Sequence, residues 1–254
     1  MKVIIITGAS SGMGKESALQ LDKIYGDIID EFWLISRRVE RLEVLSKTLK
    51  HKCRILPFDL CDEKDMAEFE LSLSLLNPNI RLLINAAGYG LIGDFSSLEK
   101  KKALGMIRLN CEALTNVTHV CLPYMKKGSR IIQFASSAAF LPQIGFSVYA
   151  ATKSYVLSFS KALNYELKPR GISVTAVCPG PVNTEFFKVA GNLSDGFGFK
   201  KYFMAEDKDV IRLALYDAYK RKSISVYSLP MKLLLVLTKI VPHDLILRIM
   251  TIIK

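Results

Sequence analysis

The chain of 254 residues has few of the features that mark disulfide-bonded, zinc-binding or membrane-spanning proteins. Its five cysteines are irregularly spaced and include no Cys-x-x-Cys pair, which argues against a disulfide framework or a zinc site. The longest apolar run near the C-terminus, Leu233 to Val241, is broken by Lys239, whereas a spanning helix needs about 20 apolar residues. We therefore expect a cytoplasmic protein. The histidines match no metal spacing, so we expect no metal site; they are His51, His119 and His243.

Acidic residues are also scarce, because 24 Asp and Glu stand against 35 Lys and Arg, for a net charge of +11. Such a bias is compatible with an anionic ligand, a nucleic acid, a membrane surface or no specific partner. The basic residues are scattered and do not alternate with aromatic ones, which argues against a nucleic-acid partner. Half of the residues are hydrophobic, which excludes a disordered chain. No linker or repeat interrupts the chain, so we expect one domain over residues 1–254.

What the sequence does have is an alternation of short apolar runs and longer amphipathic segments. This alternation predicts an α/β fold, a single Rossmann-type doubly wound parallel sheet with helices on both faces. The predicted strands are Val3–Thr7, Phe32–Ser36, Arg54–Phe58, Leu82–Asn85, Arg130–Ala135 and Ser173–Cys178. The predicted helices are Gly14–Tyr25, Arg38–Leu49, Lys64–Leu75, Ala103–Lys126 and Val148–Leu167. Two segments depart from the pattern, an irregular stretch over 181–206 and an apolar, basic tail over 229–254.

A glycine-rich turn follows the first predicted strand and opens the first predicted helix. Gly8 permits a sharp turn, Gly12 lets backbone N–H groups approach a pyrophosphate, and Gly14 allows the helix to pack closely on the strand. The positive end of the helix dipole would then face that phosphate. An ordinary strand-to-helix loop is the alternative, but the strand before and the helix after favour a dinucleotide site. The residues between the glycines that would line it are Ser10, Ser11 and Met13.

The end of the second predicted strand indicates which dinucleotide would bind. An NAD enzyme would place an acid there for the ribose 2′-hydroxyl. This chain instead has Arg37 and Arg38, with no carboxylate between Glu31 and Glu40. Two arginines suit the extra phosphate of NADP(H), which a guanidinium can bind in bidentate fashion. A solvated basic pair is the alternative, but basic residues are unfavourable near a helix N-terminus, so a phosphate partner is the better explanation.

Several motifs then follow one another in a fixed order. They are the turn from Thr7 to Gly14, Asp59, Asn85-Ala86-Ala87-Gly88, Asn110, Ser136-Ser137, Tyr149-Ala150-Ala151-Thr152-Lys153 and Pro179-Gly180-Pro181-Val182-Asn183-Thr184. Together they resemble the short-chain dehydrogenase/reductases in their common form. The resemblance runs from Lys2 to about Thr184 and more loosely to about Tyr227. Each motif is modest by itself, and the order of all of them carries the resemblance.

Tyr149 and Lys153 are four residues apart, so they share one face of a helix. A free tyrosine has a pKa near 10, and a nearby ammonium favours the phenolate and lowers that pKa toward the working pH. The family resemblance implies that Tyr149 protonates the carbonyl oxygen while hydride reaches the carbon. It also implies that Lys153 binds the nicotinamide ribose, that Asn110 holds a water linking Lys153 to solvent, and that a serine positions the carbonyl.

Two serines compete for that last role. Ser136 lies 13 residues before Tyr149, which is the commonest spacing in the family, and Ser137 lies 12 before it. The family's Ser-Ser-x-Ala pattern places the active serine second, and a one-residue deletion in the following loop would reconcile this with the spacing. Adjacent residues of a strand point to opposite faces, so only one of the two can serve. We prefer Ser137.

The resemblance also implies further cofactor contacts, all at the carboxyl ends of predicted strands, where ligands of such sheets bind. Near the third strand they are Asp59, which would contact the adenine, and Leu60. After the fourth strand, Asn85, Ala86, Ala87 and Gly88 would stabilise the sheet and pass the ribose. After the sixth strand, the backbone and Thr184 would contact the carboxamide, in a segment that includes Pro179, Gly180 and Val182.

These features predict an NADP(H)-dependent oxidoreductase acting on a carbonyl or secondary alcohol. The segment 181–206 is a predicted substrate lid that is rich in aromatic rings and poor in charge, which favours a bulky apolar ketone, steroid-like, fatty or aromatic. Rings that only pack the lid onto the domain are the alternative. The resemblance implies a homodimer or homotetramer. The tail, with two predicted amphipathic helices hinged at Pro242, would close the pocket, contact a subunit or touch a membrane surface. A non-catalytic nucleotide-sensing member of the family is the competing hypothesis.

Overall fold

The computed structural model describes residues 1–186, 190 and 204–253, and its centre is a seven-stranded parallel sheet. In chain order the strands are β1 (Lys2–Thr7), β2 (Glu31–Ile35), β3 (Lys52–Leu56), β4 (Asn79–Asn85), β5 (Met125–Phe134), β6 (Ser173–Val177), β7 (Val182–Asn183), β8 (Ala205–Glu206) and β9 (Ile224–Ser225). The sheet has the order β3-β2-β1-β4-β5-β6-β9, and β7 pairs separately with β8. The direction of winding reverses between β1 and β4, which creates a crevice at their carboxyl ends.

Helices connect these strands, as the alternation in the sequence predicts. They are α1 (Gly12–Tyr25), α2 (Val39–Thr48), α3 (Glu63–Leu76), α4 (Lys100–Ile107), α5 (Leu114–Cys121), α6 (Ser147–Glu166), α7 (Asp207–Tyr219), α8 (Leu229–Ile240) and α9 (His243–Ile253). The predicted fold class is confirmed. Along residues 1–186, 190 and 204–253, no helix has both the length and the apolar content that crossing a bilayer requires.

The strands are apolar along their whole length because both faces of the sheet are covered. Side chains alternate between the faces along each strand. On one face Ile5 and Trp33 pack in one hydrophobic core, and on the other Ile4 and Phe32 pack in a second core. All four side chains are fully buried. The two cores fix the strand ends that carry the predicted site residues.

The predicted helix Ala103–Lys126 is wrong as a single element. It divides into α4, a π-helical turn over Arg108–Ala113 and α5, and a 3₁₀ turn over Leu122–Tyr124 then ends it. Pro123 lies in that 3₁₀ turn, where its missing N–H cannot continue an α-helix. From Met125 onward the chain belongs to β5, because Met125 pairs with Ile80 of β4.

The C-terminal part of the chain adds the edge strand β9 and three helices. The two tail helices predicted on either side of Pro242 are present as α8 and α9. The predicted lid is described only at its two ends, where β7 and β8 pair. Residues 187–189 and 191–203 of that lid lie outside the described residues.

Candidate active site

The predicted reactive residues converge beyond the carboxyl end of β5. Tyr149 and Lys153 lie on α6, and Ser136 follows the end of β5. The Ser136 side chain lies close enough to the Tyr149 hydroxyl to lower the Tyr149 pKa by hydrogen bonding. The Lys153 Nζ atom lies 5.6 Å from the centroid of the Tyr149 ring and donates a 2.7 Å hydrogen bond to the carbonyl oxygen of Phe134. A serine, a tyrosine and a lysine thus meet in one buried cluster.

The structure gives Ser136, and not the preferred Ser137, the contact with the Tyr149 hydroxyl. Ser136 is extended, with φ −172° and ψ 161°, and caps the 3₁₀ turn Ser137–Phe140 by accepting a 3.1 Å hydrogen bond from the Ala138 N–H. This leaves the Ser136 hydroxyl on the side of Tyr149. The bond that the structure gives Ser137 is made by its backbone, whose N–H donates to the Pro179 carbonyl oxygen at 2.8 Å. Of the two sequence indications, the spacing of 13 residues agrees with this arrangement, and the identity of the active serine stays a prediction.

Burial shifts both ionisable groups of this cluster. It raises the pKa of Tyr149, against the opposing effect of the hydrogen bond from Ser136. It lowers the pKa of Lys153 to about 8, since the ammonium is taken out of water. The expected lowering of the Tyr149 pKa by Lys153 is therefore absent, because Lys153 turns its ammonium to the Phe134 carbonyl and itself suffers the desolvation. In the protein alone the phenol stays protonated.

Asn110 is placed by the π-helical turn between α4 and α5. Such turns insert one extra residue into a helix and are frequent at functional sites. The Asn110 side chain is fully buried, and its Oδ1 accepts a 3.1 Å bond from the Tyr89 N–H. Its Nδ2 donates to the Tyr89 carbonyl oxygen at 2.9 Å and to Thr152 Oγ1 at 3.0 Å. Asn110 therefore ties the segment after β4 to α6, beside Lys153.

Aromatic rings enclose Tyr149. The Phe146 ring stacks on it with centroids 4.3 Å apart, and the Phe186 ring lies at 5.3 Å with an interplanar angle of 52°. A Cβ atom built on Gly90 would lie 2.9 Å from Phe186 Cζ and would collide with the Tyr149 ring, so this backbone passes close to both. Apolar side chains complete the cluster. A substrate that reaches the Tyr149 hydroxyl therefore meets mostly hydrophobic surface.

The glycine-rich turn lies in the crevice between β1 and β4. Gly8 has a φ of +67°, and a Cβ atom there would lie 2.7 Å from the Ala87 nitrogen. Only glycine fits both the left-handed backbone and this close approach. Thr7 Oγ1 accepts bonds from the N–H groups of Ala86 and Ala87, at 3.1 and 3.2 Å, which joins the two strand ends. Gly14 packs against the backbone of Gly8, as the motif predicts.

The first turn of α1 has no internal anion. Its N-cap residue Ser11 makes no capping hydrogen bond with its side chain, and the turn contains no Asp or Glu. The Arg38 guanidinium lies over this turn and donates to Ser10 Oγ at 2.9 and 3.0 Å and to Ser11 Oγ at 2.6 Å. A free helix N-terminus beside an arginine fits an anionic phosphate group.

Two carboxylates occupy the arginines in this structure. Arg38 and Arg41 both pair with Glu185, at 3.1 and 2.7 Å, and this pairing lowers the pKa of Glu185. Arg37 points the other way, with its guanidinium 3.6 Å from the Asp59 carboxylate. The two predicted phosphate-binding arginines are therefore not equivalent, since only Arg38 reaches the glycine-rich turn.

The remaining predicted cofactor residues divide into structural and crevice-lining groups. Asn85 is buried and donates to Thr118 Oγ1 and Gln133 Oε1, at 2.9 and 3.0 Å, so its side chain holds the sheet together. Leu60 is buried in a hydrophobic core. Thr184 does reach the glycine-rich turn, since a Cβ atom on Gly12 would lie 3.4 Å from its side chain. Five further predicted residues make no described side-chain hydrogen bond in the crevice, two of them because glycine has no side chain. They are Met13, Gly88, Pro179, Gly180 and Val182.

Known proteins place the chain in a family. The short chain dehydrogenase model matches residues 2–192, which is most of the chain. The chain belongs to the short-chain dehydrogenase family. A serine 3-dehydrogenase from Agrobacterium fabrum is 31% identical over 235 residues, which cover 89% of this chain and 91% of that protein.

Two solved members of the short-chain dehydrogenases support the same placement. One is a short-chain dehydrogenase from Sphingobium yanoikuyae in complex with NADPH, 29% identical with a TM-score of 0.79, covering 90% of this chain and 89% of its own. Another is a bulky-bulky ketone specific alcohol dehydrogenase from Comamonas testosteroni, 27% identical with a TM-score of 0.74, covering 90% of this chain and 87% of its own.

The sequence reasoning missed Arg41, Glu185 and Gly90. Arg41 could have been found, because it stands three residues after Arg38 and so shares a helix face with it. Glu185 gave no signal, because it lies 144 residues from Arg41 along the chain and only the fold brings the two together.

Proposed function

We propose that this short-chain dehydrogenase is an NADP(H)-dependent oxidoreductase that interconverts a carbonyl compound and a secondary alcohol. The observation that carries the proposal is the burial of Tyr149 and Lys153 side by side, with the Lys153 Nζ atom 5.6 Å from the Tyr149 ring centroid and the Ser136 side chain acting on the Tyr149 hydroxyl. Perturbed pKa values of buried groups cluster at functional sites, so the lowered pKa of Lys153, about 8, favours an enzyme over a non-catalytic relative.

The chemistry follows from the protonation states of these side chains. When bound, the nicotinamide supplies hydride to the carbonyl carbon, or accepts it in the reverse direction. Tyr149 donates its phenolic proton to the carbonyl oxygen, which its raised pKa permits because the phenol is protonated at neutral pH. Ser136 orients that oxygen through its own hydroxyl. Lys153, with a pKa of about 8, can return a proton to the phenolate near neutral pH.

Asn110 supports this cluster as a positioning residue. Its amide fixes the Tyr89 backbone and the Thr152 hydroxyl, and Thr152 lies next to Lys153 on α6. Its Oδ1 accepts one described bond and so retains a lone pair. The predicted water that would link Lys153 to solvent could bind there, and that role stays a prediction.

Arg38 supports the choice of NADP(H). Its guanidinium reaches the glycine-rich turn, and Arg41 stands beside it, so two cations face the place where a 2′-phosphate would lie. Arg37 is bound to Asp59 and contributes charge from the other side. The NADPH complex of the Sphingobium yanoikuyae relative agrees with this choice.

The hydrophobic surface around Tyr149 supports a bulky apolar ketone as the substrate. Phe146 and Phe186 flank the phenol, which leaves little polar surface to bind a small polar acid. The relatives differ in substrate class, since one is a serine 3-dehydrogenase and another is specific for bulky ketones. We place the enzyme in the cytoplasm, where its five free cysteines would stay reduced.

The experiment is a substrate panel with the purified chain. Aromatic, alicyclic, long-chain and small polar carbonyl compounds are offered with NADPH and with NADH, and nucleotide absorbance is followed. We expect turnover of apolar ketones with NADPH. Tyr149→Phe should lose at least about 100-fold in rate, the lower scale for a positioned acid–base group.

The control is Tyr155→Phe, because Tyr155 lies on the same helix but is exposed, and its hydroxyl is hydrogen-bonded to Thr115, away from Tyr149. It should retain normal turnover. Near-normal turnover of Tyr149→Phe would overturn the mechanism. Turnover confined to small hydroxy acids would overturn the substrate class and leave the mechanism standing.

A further inference from the structure

Helix α8 carries a stripe of exposed apolar side chains. These side chains are between 48% and 75% exposed, and they are Leu229, Leu233, Val236, Leu237 and Ile240. Since an α-helix has 3.6 residues per turn, their spacing places all five within an arc of about 100°. We call these five residues the outer face of α8. A stripe of this size on the surface of a protein marks an interaction site.

The outer face is distinct from the side of α8 that packs on the domain. The opposite side of α8 is already packed on the domain through Met231, Leu234 and Leu235, which join a core that includes Phe140 and Val226. Helix α8 is therefore apolar on two opposite sides. This second apolar face is left uncovered by the part of the chain that the structure describes.

Positive charge borders this outer face. Lys232 and Lys239 are exposed and seven residues apart, so both lie along the same edge of the stripe. Arg248 of α9 is also exposed, as are Leu245 and Ile249. Helix α8 contains no Asp or Glu.

This charge distribution selects among the surfaces that could cover the outer face. A second copy of the chain, meeting this face with its own, would bring lysines against lysines without a carboxylate from α8 to pair them. An anionic phospholipid surface offers negative headgroups beside an apolar interior, which matches a stripe of Leu, Val and Ile bordered by Lys. The net charge of +11 acts in the same direction at longer range.

We propose that α8 docks this enzyme on the surface of an anionic phospholipid bilayer. The outer face lies in the plane of the interface with its side chains among the acyl chains, and Lys232 and Lys239 contact the headgroups. Helix α8 also packs against the core residues Phe140 and Leu141, in the segment that follows Ser136. Docking therefore brings the wall of the active site close to the bilayer.

The test is flotation of the full chain with liposomes. One set of vesicles contains only phosphatidylcholine, and the other contains phosphatidylglycerol as well. We expect the chain to float with the anionic vesicles, and much less with the neutral ones. Added salt should weaken this binding, because it screens the contribution of the lysines.

Two variants examine the two components of the surface. Leu233→Asn with Val236→Asn and Ile240→Asn should lower binding to anionic vesicles at least tenfold. Lys232→Glu with Lys239→Glu should lower it as well and reduce its salt dependence. The matched controls are Leu71→Asn with Leu75→Asn, which are exposed leucines of α3, and Lys47→Glu with Lys64→Glu, which are exposed lysines elsewhere.

The outcomes separate the proposal from its alternatives. Circular dichroism of each variant, before flotation, establishes that it folds as the native chain does. Failure of the native chain to float with anionic vesicles overturns the proposal, as does equal loss in the control variants. Light scattering gives the oligomeric state, for which a homodimer or homotetramer is expected. If the triple Asn variant changes that state without changing flotation, the outer face is a subunit contact and the proposal is wrong.

Discussion

The reacting cluster and the arginine cluster lie at the same edge of the sheet but differ in their contact with water. Tyr149 and Lys153 are 7% and 6% exposed. The side chains of Arg38, Arg41 and Glu185 are 40% to 46% exposed and form a shared network. In the buried cluster desolvation is the largest influence on each pKa, whereas in the arginine cluster the hydrogen bonds are.

This difference predicts how steeply each region responds to a change. Water cannot take the place of a buried hydroxyl or ammonium group, so removing one leaves its partner without a hydrogen bond. Exposed ion pairs are screened and exchange partners easily, so single changes there have small effects. Substitutions in the buried cluster should therefore have larger effects than substitutions in the arginine cluster.

The largest effect should follow from the loss of the Ser136 hydroxyl. Ser136→Ala removes the hydrogen bond to Tyr149, and we expect the rate of carbonyl reduction to fall about 100-fold, within the usual scale for a positioned catalytic group. Ser136→Thr keeps a hydroxyl and should recover part of the rate. Ser137→Ala is the matched control and should remain within about twofold, because alanine retains the backbone bond to Pro179. Equal losses in both alanine variants would break the assignment.

Lys153 should lower stability at neutral pH. Its folded-state pKa is about 8 against an ordinary value of 10.5, so its contribution to stability is present above pH 10.5 and is lost as the pH falls through 8. Between pH 10 and pH 7 this loss amounts to roughly 2 to 3 kcal/mol. Lys153→Met, which carries no charge, should lack this dependence while losing activity.

The measurement is denaturant unfolding followed by fluorescence of Trp33, the single tryptophan, which is fully buried. The native chain should gain stability relative to Lys153→Met as the pH rises from 7 to 10. The control is Lys161→Met, which replaces an exposed lysine on the same helix. The difference in stability between this variant and the native chain should be the same at each pH. Parallel curves for the native chain and Lys153→Met would show that burial does not depress this pKa.

Much of this site could be read from the sequence because its residues follow local rules. Alternating apolar runs gave the strands, and Tyr149 and Lys153 had to share a face because they are four residues apart on a helix. The glycines of the turn had to meet the backbone of a neighbouring strand, as Gly8 meets Ala87. These are constraints that act within a few residues or between adjacent strands.

The sequence predictions differ from the structure where the rules that act between neighbouring residues no longer apply. Ser136 and Ser137 stand at the change from strand to 3₁₀ turn, where strict alternation no longer tells which hydroxyl faces α6. The long helix predicted over 103–126 was interrupted by a π turn that leaves no pattern in the sequence. Glu185 meets the arginines only because the chain after β6 returns to the crevice, which no periodicity indicates.

The smallest effects should come from the arginine cluster, and they should have opposite signs. Glu185 occupies Arg38 and Arg41 as an anion, so an incoming 2′-phosphate must displace its carboxylate. Arg38→Ala should weaken NADPH binding about tenfold, in keeping with the loss of a charge-assisted hydrogen bond. Glu185→Gln removes the competing charge and should tighten NADPH binding a few-fold. Neither change should alter the Kd for NADH, which lacks that phosphate.

Titration of nucleotide fluorescence gives both dissociation constants. Arg212→Ala is the matched control, because Arg212 forms an exposed pair with Asp209 on α7 and should leave both constants unchanged. If Glu185→Gln weakens NADPH binding instead, Glu185 orients the arginines for the phosphate and does not compete with it. The same loss for NADH and NADPH in Arg38→Ala would show that Arg38 serves the turn of α1 through Ser10 and Ser11 and does not read the 2′-phosphate.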